Sequence, residues 1–204
     1  MYVYGYGSLI WKPPPHTIER IPGYVKGFVR RFAQKSHDHR GVPGAPGRVV
    51  TLLTADDWKT VSQNDEHLRS SEECIVWGVA YLIDPAYEKE VFAYLDHREK
   101  DGYTLRNVDL YGPSEDGTGE RVLVSKAMTY VGELSNPSFA GYEKLSLVAE
   151  TVHRSVGPSG PNQEYLFKLV ESIAELAPES EDTYLMEMVQ RVKELDEING
   201  RVKI

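Results

Sequence analysis

Two stretches of this sequence carry residues that could do chemistry. The first is Tyr2-Val3-Tyr4-Gly5-Tyr6-Gly7-Ser8-Leu9-Ile10-Trp11. It opens with residues that suit a half-buried strand and breaks into glycines within a few positions. A loop through Gly7 and Ser8 can turn several main-chain N–H groups to one side. Such a concavity suits a carboxylate or a phosphate. The plainer reading of the same residues is a strand, a tight turn and a second strand. The second stretch ends on Glu99, between Arg98 and Lys100 and just before Gly102-Tyr103. A carboxylate at a helix C-terminus faces the negative end of the dipole, which disfavours its ionised form. Partial burial would raise its pKa further, towards the range useful for general acid/base work. The plainer reading is an exposed glutamate in a charge run. Glu90 lies on the same helix. At about 100° per residue it points away from Glu99, so the two pair only if the helix ends before Glu99.

Other candidates carry less. Gly5-x-Gly7-x-x-Ile10 is a truncated dinucleotide fingerprint, and Pro13 to Pro15 stands where the required helix would begin. His37-x-His39 with His16 lacks the second short-spaced ligand pair of a metal site, so surface histidines are the expectation. Cys74 sits beside Ile75 and Val76 and reads as a small core residue, not a nucleophile. Arg30-Arg31 reads equally as a solvated pair or a ligand clamp.

The elements that position these residues follow from local patterns. Residues 12–15 form a rigid proline connector. Strands are expected over residues 25–34, 48–53, 74–83, 104–111 and 121–131. Residues 37–47 are a loop by composition. Residues 56–73 are polar and without a clear period, which predicts an exposed, partly mobile excursion. Asp84-Pro85 signals a helix start, with a helix over 86–98 and Gly102 as its left-handed terminator. Three further helices are expected over 142–156, 162–176 and 183–199. Strands first and helices later predict an α+β fold. The whole chain, 1–204, is expected to be one domain, its C-terminal helices beginning near 142.

Composition narrows the function classes. The chain has 204 residues, enough to bury a core without staples. A net charge of -8 argues against nucleic acid and anionic membranes as partners, though not against an anionic small molecule in a locally basic site. One cysteine excludes an internal disulfide and points to a reducing compartment. No apolar run spans a bilayer, and no basic region precedes an apolar one at the N-terminus. A cytoplasmic location is the expectation.

Four blocks together resemble one family. They are Gly5 through Trp11; Asp38-His39-Arg40-Gly41-Val42-Pro43 with Pro46-Gly47-Arg48-Val49-Val50-Thr51-Leu52; Tyr94-Leu95-Asp96-His97-Arg98-Glu99-Lys100-Asp101-Gly102-Tyr103; and Gly157-Pro158-Ser159-Gly160 with Asn162 and Glu164-Tyr165-Leu166. In type and order they resemble the ChaC-type, glutathione-specific γ-glutamylcyclotransferases. The resemblance implies a small mixed β-barrel flanked by helices. It implies cleavage of glutathione to 5-oxoproline and cysteinylglycine, without metal or cofactor. By position, Gly5, Tyr6, Gly7, Ser8, Leu9 and Ile10 would form the loop for the γ-glutamyl group, and Glu99 would be the catalytic carboxylate. Glu90 matches a second acidic position, and Tyr165 a tyrosine near the substrate. Tyr103 and Tyr165 are candidates to stabilise the oxyanion.

Two alternatives stand beside this reading: a cyclotransferase for other γ-glutamyl compounds, and a non-catalytic module that binds γ-glutamyl metabolites. Glutathione's glycine carboxylate calls for a local cation. Arg40 and Arg48 are the expected candidates, with the equal alternative that both merely tie their loop to the barrel.

Overall fold

The computed structural model of this chain describes residues 1–62, 65–71, 73–98, 103–178, 180, 182–198 and 200. Glu99 and Gly102 lie outside the described residues. The chain opens on β1 (Tyr2–Gly5), followed by a 3-10 turn at Ser8–Ile10 in place of a second strand. The single strand expected over residues 25–34 is two strands: β2 (Thr17–Lys26) and β3 (Phe28–Ser36). Gly27 separates them at φ +76°, a left-handed conformation that favours glycine. Most of β2 carries no strand signal, because Pro22 lacks a ladder donor. In the fold Pro22 sits opposite Val79 of β5 (Ile75–Ile83).

Among the described residues, β1, β5, β2, β6 (Thr104–Pro113) and β7 (Glu120–Val131) close into a barrel in that order. Neighbouring strands run antiparallel except at the closure, where Val3 of β1 pairs in parallel with Met128 of β7. The barrel is therefore mixed, and its closure leaves no open sheet edge. Val79, Ala80, Ile83 and Leu110 have no exposed surface. Burying each of the larger ones contributes about 1.5–3 kcal/mol. β3 pairs with β4 (Gly47–Thr54) in a separate antiparallel ribbon. The Gly132 N–H donates to the Leu52 carbonyl at 2.8 Å and ties this ribbon to the end of β7.

The stretch 56–73 departs from the exposed excursion expected of it. It begins inside α1 (Ala55–Val61), whose N-cap Thr54 accepts from the Asp57 N–H at 3.0 Å. Trp58 is buried and donates from its indole to Asp65 at 2.6 Å; Arg31 Nε donates to the same oxygen at 2.9 Å. Seven helical residues are too few to display a period.

The later helices match their expected places closely. Asp84 caps a 3-10 turn at Pro85–Tyr87, accepting from the Ala86 N–H at 2.9 Å, and α2 (Glu88–Arg98) follows. α3 (Leu145–Arg154), α4 (Asn162–Leu176) and α5 (Thr183–Ile198) follow the barrel strands. α3 stops at Arg154, short of the expected 156, because Val156 pairs with Pro161 in the β8 (Val156–Gly157) and β9 (Gly160–Pro161) hairpin. α4 buries Tyr165, Leu166, Leu169 and Ile173, and α5 buries Tyr184, Leu185, Met188 and Val192. No described helix is long and apolar enough to cross a membrane.

Candidate active site

The Gly-rich turn after β1 takes its shape from what surrounds it. The Ile10 N–H closes the turn on the Gly7 carbonyl at 3.0 Å, and the Lys12 N–H reaches Ser8 O at 2.9 Å. A Cβ on Gly5 would meet Leu9 Cβ at 2.5 Å, so the chain can fold back this tightly only with glycine there. Tyr81 donates to the Leu9 carbonyl at 2.8 Å from inside the barrel, within reach of Ile10 O at 3.1 Å. Arg30 Nη1 donates to the Tyr6 carbonyl at 3.0 Å and to the Trp77 carbonyl at 2.9 Å, while Nη2 donates to Asp182 at 2.9 Å. Arg30 and Arg31 are both buried, so the pair is not solvated. They are internal ties, and Arg30 holds the carbonyl that precedes Gly7.

This turn forms one wall of a cavity of about 670 Å³, within the usual range for a small-molecule site. Tyr6, Gly7, Ser8, Leu9, Tyr103 and Tyr165 all line it. The Tyr165 hydroxyl lies 3.1 Å from where a Cβ on Gly7 would stand. Edge contacts with Trp11 (5.5 Å between centroids) and Phe32 (5.9 Å) fix the Tyr165 ring. Three expected residues do not line the cavity. Gly5 supports the turn from behind, and Ile10 is buried in the core. Glu90 lies on the outer side of α2, its carboxylate exposed and 3.3 Å from His16 Nε2. The structure thus places Glu90, expected near the substrate, outside the cavity lining. Its ring partner His16 stacks on Tyr87, so the nearest charge and the nearest ring both face outward.

The opposite contributions come from the end of β3 and the loop after it. Gln34, Lys35, Ser36, Asp38, His39 and Arg40 line the cavity. The β8–β9 hairpin locks this loop in place: the Ser159 N–H donates to His39 O at 2.9 Å, and Arg40 Nη1 donates to Pro161 O at 2.8 Å. His39 Nδ1 is 3.3 Å from Ser159 Oγ. At the start of α4, Asn162 clips β4, accepting the Arg48 N–H at 2.7 Å and donating to Arg48 O at 2.8 Å.

Arg48 is committed elsewhere. Its Nε and Nη2 hold both oxygens of Glu143, at 2.7 and 3.1 Å. Of the two arginines expected to serve a ligand, Arg48 thus ties the chain to itself, and Arg40 alone lines the cavity.

The tyrosines were only partly legible. Tyr4, Tyr94 and Tyr130 line the cavity beside Tyr6, Tyr103 and Tyr165. Burial pushes the Tyr4 phenol up, with Arg30 pulling weakly the other way, so it stays a proton donor, 2.6 Å from the Val76 carbonyl. Tyr94, Asp38, His39, Arg40 and Ser159 all fall inside the family-like blocks, which is the signal that would have found them. Gln34, Lys35 and Tyr130 fall outside the blocks and carry no such signal. Cys74 is buried and does not line this cavity; burial raises its thiol pKa, as suits a core residue. Among the described residues, no group of three or more His, Cys, Asp or Glu side chains is placed to hold a metal ion.

Comparison with known proteins agrees with this geometry. A family model described as ChaC-like protein matches residues 1–195. The chain is 39% identical to the glutathione-specific gamma-glutamylcyclotransferase of Schizosaccharomyces pombe, over 95% of this chain and 92% of that protein. It is 32% identical to glutathione-specific gamma-glutamylcyclotransferase 1 of Homo sapiens, over 94% of this chain and 78% of that protein. The crystal structure of a gamma-glutamylcyclotransferase specific to glutathione from yeast is similar with a TM-score of 0.81. It is 36% identical, covering 96% of this chain and 98% of that one. The family match runs through the barrel, the cavity and α3 to α5, and all four sequence blocks contribute residues to one cavity wall, so the chain belongs to the ChaC-like protein family.

Proposed function

We propose that this chain is a glutathione-specific γ-glutamylcyclotransferase, cleaving glutathione to 5-oxoproline and cysteinylglycine. The observation that carries the reading is the cavity. It joins the Gly7–Leu9 turn to a basic, polar wall inside an acidic protein whose relatives are named for this activity. The reaction needs no water and no second substrate. The α-amine nitrogen of the γ-glutamyl group attacks its own γ-carbonyl carbon and closes a five-membered ring. The C–N bond to cysteine breaks, and the departing nitrogen takes a proton.

The attack is intramolecular, so a site that folds the substrate gains most of the rate available from orientation. The main chain of Gly7, Ser8 and Leu9 would hold the α-carboxylate. The turn closes through the Ile10 N–H on the Gly7 carbonyl, which fixes the main chain that would meet the carboxylate. An α-amine titrates at about 7.7–8.0 and starts mostly protonated, so a base is needed. Glu99 is the proposed base, returning the proton to the leaving nitrogen. Tyr103 and Tyr165 would steady the oxygen as it gains charge. The chain works as one domain, because α4 supplies Tyr165 to the barrel's cavity, and it acts in the cytoplasm, where its proposed substrate is abundant in reduced form.

The test is direct. Purified protein is incubated with glutathione in EDTA, and 5-oxoproline is followed by mass spectrometry. We expect equimolar 5-oxoproline and cysteinylglycine. Turnover of γ-glutamyl-alanine but not glutathione would reassign the substrate. Binding of glutathione with no product would make the protein a binding module.

A further inference from the structure

We propose that Lys35 is the residue that selects glutathione over shorter or uncharged γ-glutamyl compounds, by pairing with the glycine carboxylate. The inference rests on the cyclotransferase reading and deepens it. Glutathione carries carboxylates at its two ends. If the Gly7–Leu9 turn takes the one on the γ-glutamyl group, the other must be met by a different segment of the wall. Besides the turn itself, the ionisable side chains of the wall other than tyrosines are Lys12, Lys35, Asp38, His39 and Arg40.

Among the described residues, two cations of the wall, Lys12 and Lys35, have no ion-pair partner, and their positions separate them. Arg48 lies outside the wall and grips Glu143 with two bonds. Arg40 lines the wall, but its Nη1 is drawn towards Pro161 O and Glu164. His39 sits 3.8 Å from Asp38, on its own loop. Lys12 is exposed and follows the turn directly, its N–H bonded to Ser8 O, so it belongs to the γ-glutamyl end. Lys35 is half-buried, and among the described residues no carboxylate lies in ion-pair range of its ammonium.

Its backbone is fixed on both sides. Lys35 N–H donates to Ser138 O at 2.8 Å, and the residue pairs with Arg48 across the ribbon. Gln34 and Ser36, its chain neighbours, are buried. A rigid strand thus brings to the cavity a half-buried cation that has no ion-pair partner among the described residues. Leaving such a charge without a partner is costly unless something completes it, and a substrate carboxylate would do so. A hydrogen bond to a charged group in such a place is strong enough to separate substrates by ten-fold or more.

The test compares glutathione with its C-terminal amide, which removes the charge without shortening the molecule. kcat/KM for each compound is measured by 5-oxoproline release in wild type, Lys35→Gln, Lys35→Arg and Arg40→Gln. In wild type the acid should exceed the amide by at least about ten-fold. In Lys35→Gln that ratio should fall towards one, and Lys35→Arg should restore most of it. General damage to the fold lowers both values and leaves the ratio intact. A preserved ratio in Lys35→Gln, or a ratio lost only in Arg40→Gln, overturns the proposal. So does a wild type with no preference. Wild-type protein that makes no 5-oxoproline from either compound overturns the cyclotransferase reading itself, and Lys35's role with it.

Discussion

The proposed reaction reduces to where one proton goes. The attacking amine must lose it, and the leaving amide nitrogen must gain one. A glutamine at position 99 keeps the shape of the side chain and removes only its ability to carry a proton. Glu99→Gln should therefore lower kcat by about 10²–10⁴-fold with a much smaller change in KM. Steady-state kinetics on glutathione, with circular dichroism to verify the fold, would measure this. A variant that kept most of its kcat would move the proton-transfer role to another group. The tyrosines around the cavity have a different part. A buried phenol such as Tyr4, held well above its ordinary pKa, donates hydrogen bonds and does not take protons near neutral pH.

One strand, β3, organises the site at the scale of elements. Its inner end carries Arg30, its outer end Lys35, and the loop that follows carries Asp38, His39 and Arg40. Arg30 reaches three separate segments: the Gly-rich turn through Tyr6, β5 through Trp77, and the start of α5 through Asp182. Removing it takes a donor from two carbonyls and the ion-pair partner from the Asp182 carboxylate, which among the described residues keeps only the Leu185 N–H. Arg30→Ala should destabilise the fold by about 3–5 kcal/mol, the range for breaking a buried ion pair from one side. Urea unfolding would measure it. A loss within about 0.5 kcal/mol, the range of an ordinary surface substitution, would show that the three segments are held by other contacts. Asp182→Asn keeps a hydrogen-bond acceptor and should cost less than Arg30→Ala.

Over the whole molecule, acid should act through α1 and the segment after it. Asp65 is nearly fully buried, which by itself raises its pKa. Arg31, the Trp58 indole and the His67 N–H together outweigh burial and hold it below the usual carboxylate range. A carboxyl whose folded pKa is depressed contributes stability above its unfolded pKa, about 3.9, and loses it as pH falls through the folded value. Stability should therefore drop on acidification below about pH 4. Asp65→Asn should be less stable at neutral pH and show a shallower acid transition than wild type. Thermal melts from pH 7 to pH 3 would test both. A wild type and an Asp65→Asn variant with parallel pH profiles would remove Asp65 from the acid response.

Sequence alone determined what neighbours along the chain can dictate. Helices α2 to α5 were legible because a proline start, an Asp cap and a repeating apolar face are local signals. The same holds for β4 to β7, and for the turn at Gly7, whose glycines mark close approach whatever lies across from them. What local signals cannot state is a partner. Pro22 concealed β2 until Val79 lay opposite it. Residues 56–73 looked polar and aimless until Asp65 met Arg31 and Trp58. Arg40 and Arg48 looked equivalent, but Glu143, far along the chain, claimed Arg48 and left Arg40 on the cavity wall. Lys35 carried no signal, since a lysine in a strand reads as surface. Only the closed barrel and the ribbon beside it decide which charges are already answered within the chain and which still face an empty space, because a charge's role depends on the group that reaches it through folding.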